Sequence, residues 1–181
     1  MFRFFDQKSY SPREKVMFRF LRRSDIFRNL TDDELALFLP HLHPRRYLQN
    51  EAIFFRGDPS QALYIIKSGE VKLNLDVEDN FEELITLTRG DTFGDNAILE
   101  GARRNFNAIA ASEVCELWVL AQVNILAIFE EDAEIKAKMS LAFAAYYDRY
   151  VRHIVKAYRN NFGFFNLGNA YLSAKREGNK G

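Results

Sequence analysis

The hydrophobic period changes in the middle of this chain, and that change is the strongest constraint on its fold. Between Arg45 and Leu120, short apolar runs alternate with turns rich in glycine, proline and aspartate, which is typical of many short strands in close succession. The runs are Ala52–Phe55, Ala62–Ile66, Val71–Leu75, Leu84–Leu87 and Val114–Leu120. Strands spaced this closely predict an antiparallel roll or barrel rather than an α/β sheet.

Capping signals predict two helices before this segment. Ser11 with Glu14, and Thr31 with Glu34, have the spacing of a capping box, in which each side chain caps the backbone of the other residue. Pro40 is expected to end the second helix. The apolar face of the first helix is expected to contain Val16, Phe18, Phe20 and Leu21.

The helical period returns after Leu120. A short apolar helix is expected to continue to Phe129, and Asp132 is a suitable N-cap for a long helix after it. The first signal that would break this long helix is the pair Asn160-Asn161.

The charges balance overall but are separated along the chain. The 25 Lys and Arg match the 25 Asp and Glu, which excludes a chain-wide attraction to nucleic acid or acidic lipid. Residues 1–28 carry a net charge of +5, residues 29–148 carry −11 and residues 149–181 carry +6. The two basic arms are expected either to dock on the acidic middle or to contact a membrane or a partner.

The single cysteine, Cys115, excludes an internal disulfide and suits a reducing compartment. The N-terminus has no apolar run of signal-peptide length, and no stretch is long enough to span a bilayer. The sequence therefore predicts a soluble, cytoplasmic protein.

Catalysis and metal binding find little support. His41 and His43 are close enough in sequence to share a metal, but no further ligand follows at a recognised spacing, and an ordinary loop pair is the alternative. Cys115 lies within an apolar strand, so we expect it to be packed rather than reactive. We expect no enzyme, no metal site and no required cofactor.

Residues 90–104 form the most informative segment. They combine a glycine turn, a short helix and an arginine pair. Such a turn exposes backbone N–H groups, and an arginine opposite them makes a site for an anion such as phosphate. Asp95, beside the turn, is placed to accept from a sugar hydroxyl. The alternative is an ordinary turn between two strands.

From about Ile26 to Tyr150, the chain resembles the cyclic nucleotide-binding domain family, which includes bacterial catabolite-activator-type regulators, kinase regulatory subunits and gated ion channels. Three stretches carry the resemblance: Phe27-x-x-Leu30-Thr31-x-x-Glu34-Leu35 with Arg46-Tyr47 and Asn50-Glu51-x-Ile53-Phe54; Gly57-Asp58-Pro59 with Ala62–Ile66 and Ser68-Gly69-x-Val71; and Gly90-Asp91-x-Phe93-Gly94-Asp95.

The resemblance implies a mainly β fold: an eight-stranded antiparallel, jelly-roll-like β-roll with N-terminal helices and a long C-terminal helix. The implied organisation is a basic N-terminal arm (1–25), the roll with its flanking helices (26–130), the long helix (131–160) and a tail (161–181).

The resemblance also implies a site for the cyclic phosphate and ribose. Its candidate residues are Phe93, Gly94, Asp95, Asn96, Ala97, Arg103, Arg104 and Asn105. Arg104 stands where the family has its phosphate-binding arginine, and Arg103 is the alternative. Asp95 replaces the family's glutamate, which binds the ribose 2′-hydroxyl, and is shorter by about 1.5 Å. Phe106 stands where the family has a small residue.

The function implied is a regulatory sensor that binds cAMP or cGMP and repositions its C-terminal helices, with a protein partner or self-association through the C-terminal helix as output. Tyr146, Tyr147 and Tyr150 are candidates for a lid over the base. The alternative is a degenerate roll without ligand that acts as an interaction or dimerisation module. About thirty residues follow Tyr150, too few for the helix-turn-helix domain of catabolite-activator-type regulators. Specific DNA binding and membrane binding are not expected.

Overall fold

The computed structural model describes residues 9–77 and 80–162, together with residues 168, 171, 172, 175 and 176. The first eight residues of the predicted basic arm and most of the predicted tail lie outside the described residues. The chain divides into two units, residues 1–143 and 144–181. The first unit contains every described strand.

Eight strands lie within the described residues. They are β1 (Leu42–Leu48), β2 (Ala52–Phe54), β3 (Ala62–Ser68), β4 (Val71–Val77), β5 (Asn80–Leu87), β6 (Thr92–Phe93), β7 (Asn107–Ala110) and β8 (Val114–Ala121). They form two four-stranded antiparallel sheets, in the orders β1-β8-β3-β6 and β2-β7-β4-β5. The predicted eight-stranded antiparallel roll with flanking helices is confirmed.

Along the chain, the strands are preceded by α1 (Pro12–Leu21) and α2 (Asp32–Phe38) and followed by α3 (Gln122–Glu131) and α4 (Ala133–Phe162). Both predicted capping boxes are present, with Ser11 before α1 and Thr31 before α2. A 3-10 turn, Leu39–His41, follows α2 and contains Pro40.

Two expectations about the helices are wrong. Val16 is 55% exposed and lies off the buried face of α1, because the core contacts are made by Phe18, Phe20 and Leu21 on another side of the helix. The pair Asn160-Asn161 does not end α4, which continues to Phe162, because asparagine only weakly disfavours a helix interior. In the part of the chain that the structure describes, no helix has the length and apolar character needed to cross a membrane.

Strand β3 of the first sheet is buried on both faces, and its two faces belong to different hydrophobic cores. Adjacent strand residues point to opposite faces, and Ile65 and Ile66 accordingly belong to different cores. Ile65 joins the helix-side core with residues of α1 to α4, whereas Ile66 joins the roll-interior core between the sheets. Cys115 is fully buried in the interior core, and burial raises the pKa of its thiol to about 11. The expectation that this cysteine is packed is therefore met.

Candidate ligand site

The side chain of Arg104 is buried inside the roll, with only 4% of the residue exposed. Its Nη1 donates to the carbonyl of Gly94 at 3.1 Å, and its Nη2 donates to the carbonyl of Ala62 on β3 at 2.8 Å. Its Nε is also buried but has no hydrogen-bond partner among the described residues. A buried guanidinium whose Nε–H has no partner among the described residues is the strongest chemical feature of this region.

Aromatic rings form a wall beside this guanidinium. The guanidinium carbon lies 4.2 Å from the centre of the Phe54 ring and 5.5 Å from that of Tyr64. Phe93 stacks on Tyr64 with ring centroids 5.0 Å apart. Burial lowers the pKa of Arg104, while nearby Tyr64 and Asp95 oppose that shift. Arginine remains protonated within proteins, so the site holds a positive charge.

Gly94 is the first residue of a loop that ends at Arg104. Residues 94–104 are called the ligand loop below. Gly94 has a φ of 70°, a left-handed conformation that suits glycine. A Cβ built on Gly94 would collide with Nη1 of Arg104. Glycine is therefore required here both for its backbone conformation and for the close approach of the arginine.

A single 3-10 turn, Asp95–Ile98, follows Gly94. The Oδ2 atom of Asp95 is buried and has no hydrogen-bond partner among the described residues. The structure therefore brings Gly94, Asp95 and Arg104 together, and Asp95 Oδ2 and Arg104 Nε are buried there without a hydrogen-bond partner among the described residues.

Three other candidate residues serve the internal structure of this region. Phe93 is packed in the roll-interior core. The side chain of Asn96 accepts from Ser60 Oγ at 2.6 Å and donates to the carbonyl of Arg103 at 2.5 Å. Ala97 is fully buried, and its N–H donates to the carbonyl of Gly94 at 3.1 Å. The side chain of Asn96 and the backbone N–H of Ala97 therefore hold the ligand loop in shape.

Arg103 and Asn105, the neighbours of Arg104 in sequence, are exposed instead of buried. Arg103 is exposed, and its Nη1 donates to the carbonyl of Gly57 at 2.7 Å. Asn105 is exposed and lines a pocket of about 390 Å³ with Arg56, Gly57, Asp76 and Arg104. Of the two arginines, only Arg104 lies against Gly94.

Phe106, which follows this pair, is half-buried and packs against the roll-interior core. The next residue, Asn107, is 1% exposed, accepts from the N–H of Arg56 and donates to Asp76 Oδ1, both at 2.8 Å. The hydrogen bond from Asn107 is the main reason that the pKa of Asp76 is lowered. Asn107 thus has a structural role that the sequence did not reveal.

The candidate lid residues lie in the second unit of the chain, on α4. The rings of Tyr146 and Tyr147 meet edge to face with centroids 5.7 Å apart. Tyr150 lies on the same helix, less than one turn beyond Tyr147. Their role as a lid remains a prediction. Within the described ranges, no group of three or more His, Cys, Asp or Glu side chains is arranged to hold a metal ion.

Comparison with known proteins identifies the family. The model of the cyclic nucleotide-binding domain matches residues 44–132, a segment that contains β2 to β8 and the whole ligand loop. Residues 44–132 belong to the cyclic nucleotide-binding domain family. The chain is 31% identical over 113 residues to the cyclic AMP receptor protein of Thermus thermophilus, covering 62% of this chain and 48% of that protein. The chain is also 33% identical over 100 residues to a cGMP-dependent protein kinase of Toxoplasma gondii, covering 55% of this chain and 10% of the kinase.

Solved structures of the family share its fold. The catabolite activator protein of Thermus thermophilus superposes with a TM-score of 0.63 and 28% identity, over 74% of this chain and 61% of that one. The regulatory domain of Toxoplasma gondii PKA, crystallised with cAMP, gives a TM-score of 0.60 and 25% identity, over 67% and 46% of the two chains. The aligned part of this chain spans about half the length of the Thermus thermophilus cyclic AMP receptor protein and a tenth of the Toxoplasma gondii cGMP-dependent kinase. The similarity therefore concerns the cyclic nucleotide-binding domain of these proteins.

Proposed function

We propose that this domain binds cAMP or cGMP as a regulatory ligand, with Arg104 binding the cyclic phosphate. The observation that carries the proposal is the buried, unpartnered Nε–H of Arg104. Its two Nη groups donate to neutral carbonyls, and an anionic phosphate is a stronger acceptor than a carbonyl. A phosphate at this point would use the free Nε–H and compete with one of those carbonyls.

The carboxylate of Asp95 supports the sugar part of the proposal. Its buried Oδ2 has no donor among the described residues, and its charge lies close enough to favour the protonated form of Arg104. A ribose hydroxyl would supply the missing donor. The shorter reach of aspartate predicts weaker ribose binding than a glutamate would give, unless a water bridges the gap.

The proposed output is a shift between placements of the C-terminal helices. A ligand changes such an equilibrium only by its difference in affinity for the two states. Capture of the phosphate would fix the ligand loop in one conformation, and α3 begins beside that loop. The helices would then report to a protein partner or a second copy of the chain. In this scheme the chain acts as a sensor and catalyses no reaction.

Calorimetry with cAMP and cGMP on purified, nucleotide-stripped protein tests the proposal, with a thermal melt alongside. We expect micromolar or tighter binding and a raised melting temperature. Arg104→Ala should weaken binding by about a hundredfold, because it removes charged hydrogen bonds. Arg103→Ala is the matched control, since this neighbouring arginine is exposed and bonded to Gly57, and its affinity should not change. Equal affinity of Arg104→Ala and wild type would refute the role of Arg104.

A second candidate function is a roll that binds no nucleotide and serves as an interaction or dimerisation module. Two observations favour it. Both Nη groups of Arg104 already have main-chain acceptors, and Phe106 packs against the interior core where the family has a small residue. No heat and no change in melting temperature at millimolar cAMP and cGMP would support this function instead.

A further inference from the structure

Gln122, the first residue of α3, is tied to the ligand loop by its side chain. Its Nε2 donates to the carbonyl of Ala97 at 2.7 Å and to that of Leu99 at 3.1 Å. Its backbone N–H donates to the carbonyl of Gln61 at 2.8 Å. One side chain therefore joins the start of a helix to two peptide groups of the loop.

These contacts complete a continuous path of hydrogen bonds from Arg104 to α3. Nη1 of Arg104 donates to the carbonyl of Gly94, and the same carbonyl accepts from the N–H of Ala97, both at 3.1 Å. The carbonyl of Ala97 then accepts from Gln122. The guanidinium and the first residue of α3 are thus separated by only two residues of the loop, Gly94 and Ala97.

The surroundings of this path leave little room for the loop to move alone. Ala97 is fully buried, and the neighbouring Ile98 packs against the helix-side core. Close-packed interiors transmit a displacement instead of absorbing it. If a phosphate draws Nη1 away from Gly94, the Gly94 carbonyl keeps only its bond from Ala97, and the resulting shift of the 3-10 turn reaches the amide of Gln122.

We propose that Gln122 is a positioning residue that transmits phosphate capture at Arg104 to the start of α3. The proposal rests on the proposed function, because it needs a ligand that competes for Arg104. Gln122 touches no ligand in this scheme. It acts through Ala97 and Leu99, and its loss should separate binding from the response of the helix.

Amide hydrogen exchange with and without saturating cAMP tests this role. In wild type, we expect cAMP to slow exchange in both the ligand loop and α3. Gln122→Met keeps the length of the side chain but has no donor, so slowing should persist in the loop and be lost in α3. Its affinity for cAMP, measured by calorimetry, should stay within about threefold of wild type, because the Gln122 side chain makes no contact with the ligand in this scheme.

Three further variants control the experiment. Gln122→Glu also keeps the length without a donor and should behave like Gln122→Met, which provides a second test if the methionine variant is unstable. Gln122→Lys keeps an N–H donor and should restore the response of α3. Gln61→Met removes a neighbouring exposed glutamine side chain but keeps the backbone carbonyl that accepts from Gln122, so it should respond like wild type.

The outcomes separate this inference from the proposed function. A full response of α3 in both Gln122→Met and Gln122→Glu would overturn the role of Gln122 and leave ligand binding intact. An equal loss in Gln61→Met would overturn it as well, since the effect would then be unspecific. If wild type binds neither cAMP nor cGMP, the proposed function fails and this inference fails with it.

Discussion

The guanidinium of Arg104 lies over the ring of Phe54, with 4.2 Å between the guanidinium carbon and the ring centre. This contact compensates part of the cost of burying the charge, because the face of an aromatic ring attracts a cation. Phe54→Leu should lower the free energy of unfolding by about 1–2 kcal/mol, from the lost cation–π contact and lost packing.

Urea denaturation of Phe54→Leu against Phe55→Leu measures this effect. Phe55 is the adjacent residue and is 51% exposed, so its replacement should change stability by less than about 0.5 kcal/mol. Equal stability of the two variants would show that the ring of Phe54 does not support Arg104.

Gly94→Ala should remove ligand binding and destabilise the fold. The left-handed backbone costs an alanine about 1–2 kcal/mol, and the new methyl group would also displace the guanidinium of Arg104. Gly101→Ala isolates the backbone cost, because Gly101 has a φ of 72° and open space around its Cβ position. Thermal melts and cAMP titration of the two variants should show a larger loss for Gly94→Ala, and matching losses would contradict the steric argument.

Asp95→Glu should strengthen the binding of ribose-containing ligands, because one more methylene extends the carboxylate toward the 2′-hydroxyl. The expected gain for cAMP is about tenfold. Titration with 2′-deoxy-cAMP provides the control, since this ligand has no hydroxyl to gain from. A similar gain for both ligands would mean that residue 95 does not read the ribose.

The pair Glu34 and Lys138 links α2 to α4 within the first unit, with 2.7 Å between Oε1 and Nζ. Burial alone would raise the pKa of Glu34, but hydrogen bonds from Lys138 and from the backbone of Thr31 outweigh it and lower that pKa below 4.5. The pair therefore contributes its full stability above pH 4.5 and loses it as the pH falls through the lowered value.

Denaturation of wild type and Glu34→Gln from about pH 6 to about pH 3 checks this expectation. The difference in unfolding free energy should be largest near pH 6 and should shrink toward pH 3. Glu134→Gln is the matched control, because Glu134 bonds the same lysine but its side chain is 73% exposed. The unfolding free energies of wild type and Glu134→Gln should differ less than those of wild type and Glu34→Gln. If the difference between wild type and Glu34→Gln is the same at every pH, titration of Glu34 is excluded as its cause.

The sequence predicted the roll well where strands are apolar and bounded by clear turns, as in β3 and β8. It missed β1, whose residues Leu42–Leu48 include a proline and two arginines and are mostly exposed. It also missed β6, which has only two residues, and β7, whose Asn107–Ala110 has alanines in place of large β-formers. These three strands are specified by pairing with neighbours, and local composition does not report that pairing.

In the candidate site, local sequence singled out residues 90–104, and the family resemblance ranked Arg104 above Arg103. The structure places Arg104 against Gly94, and the binding roles of both arginines remain predictions. The aromatic wall and the carbonyl of Ala62 depend on long-range strand pairing, which a sequence pattern cannot locate. Gln122 gave one weak signal, as a polar residue that interrupts an apolar stretch. Only the fold shows that its amide reaches the loop.

The opposite directions of Ile65 and Ile66 provide two internal reporters one peptide apart. With selective methyl labelling, the signal of Ile65 would report changes in the helix-side core, and the signal of Ile66 would report changes in the roll-interior core. Because the two probes share one strand, a change in only one of them separates local rearrangement on that side from movement of the whole sheet. Following both methyl signals during a ligand titration would show on which side of the sheet the structure changes at the lower ligand concentration.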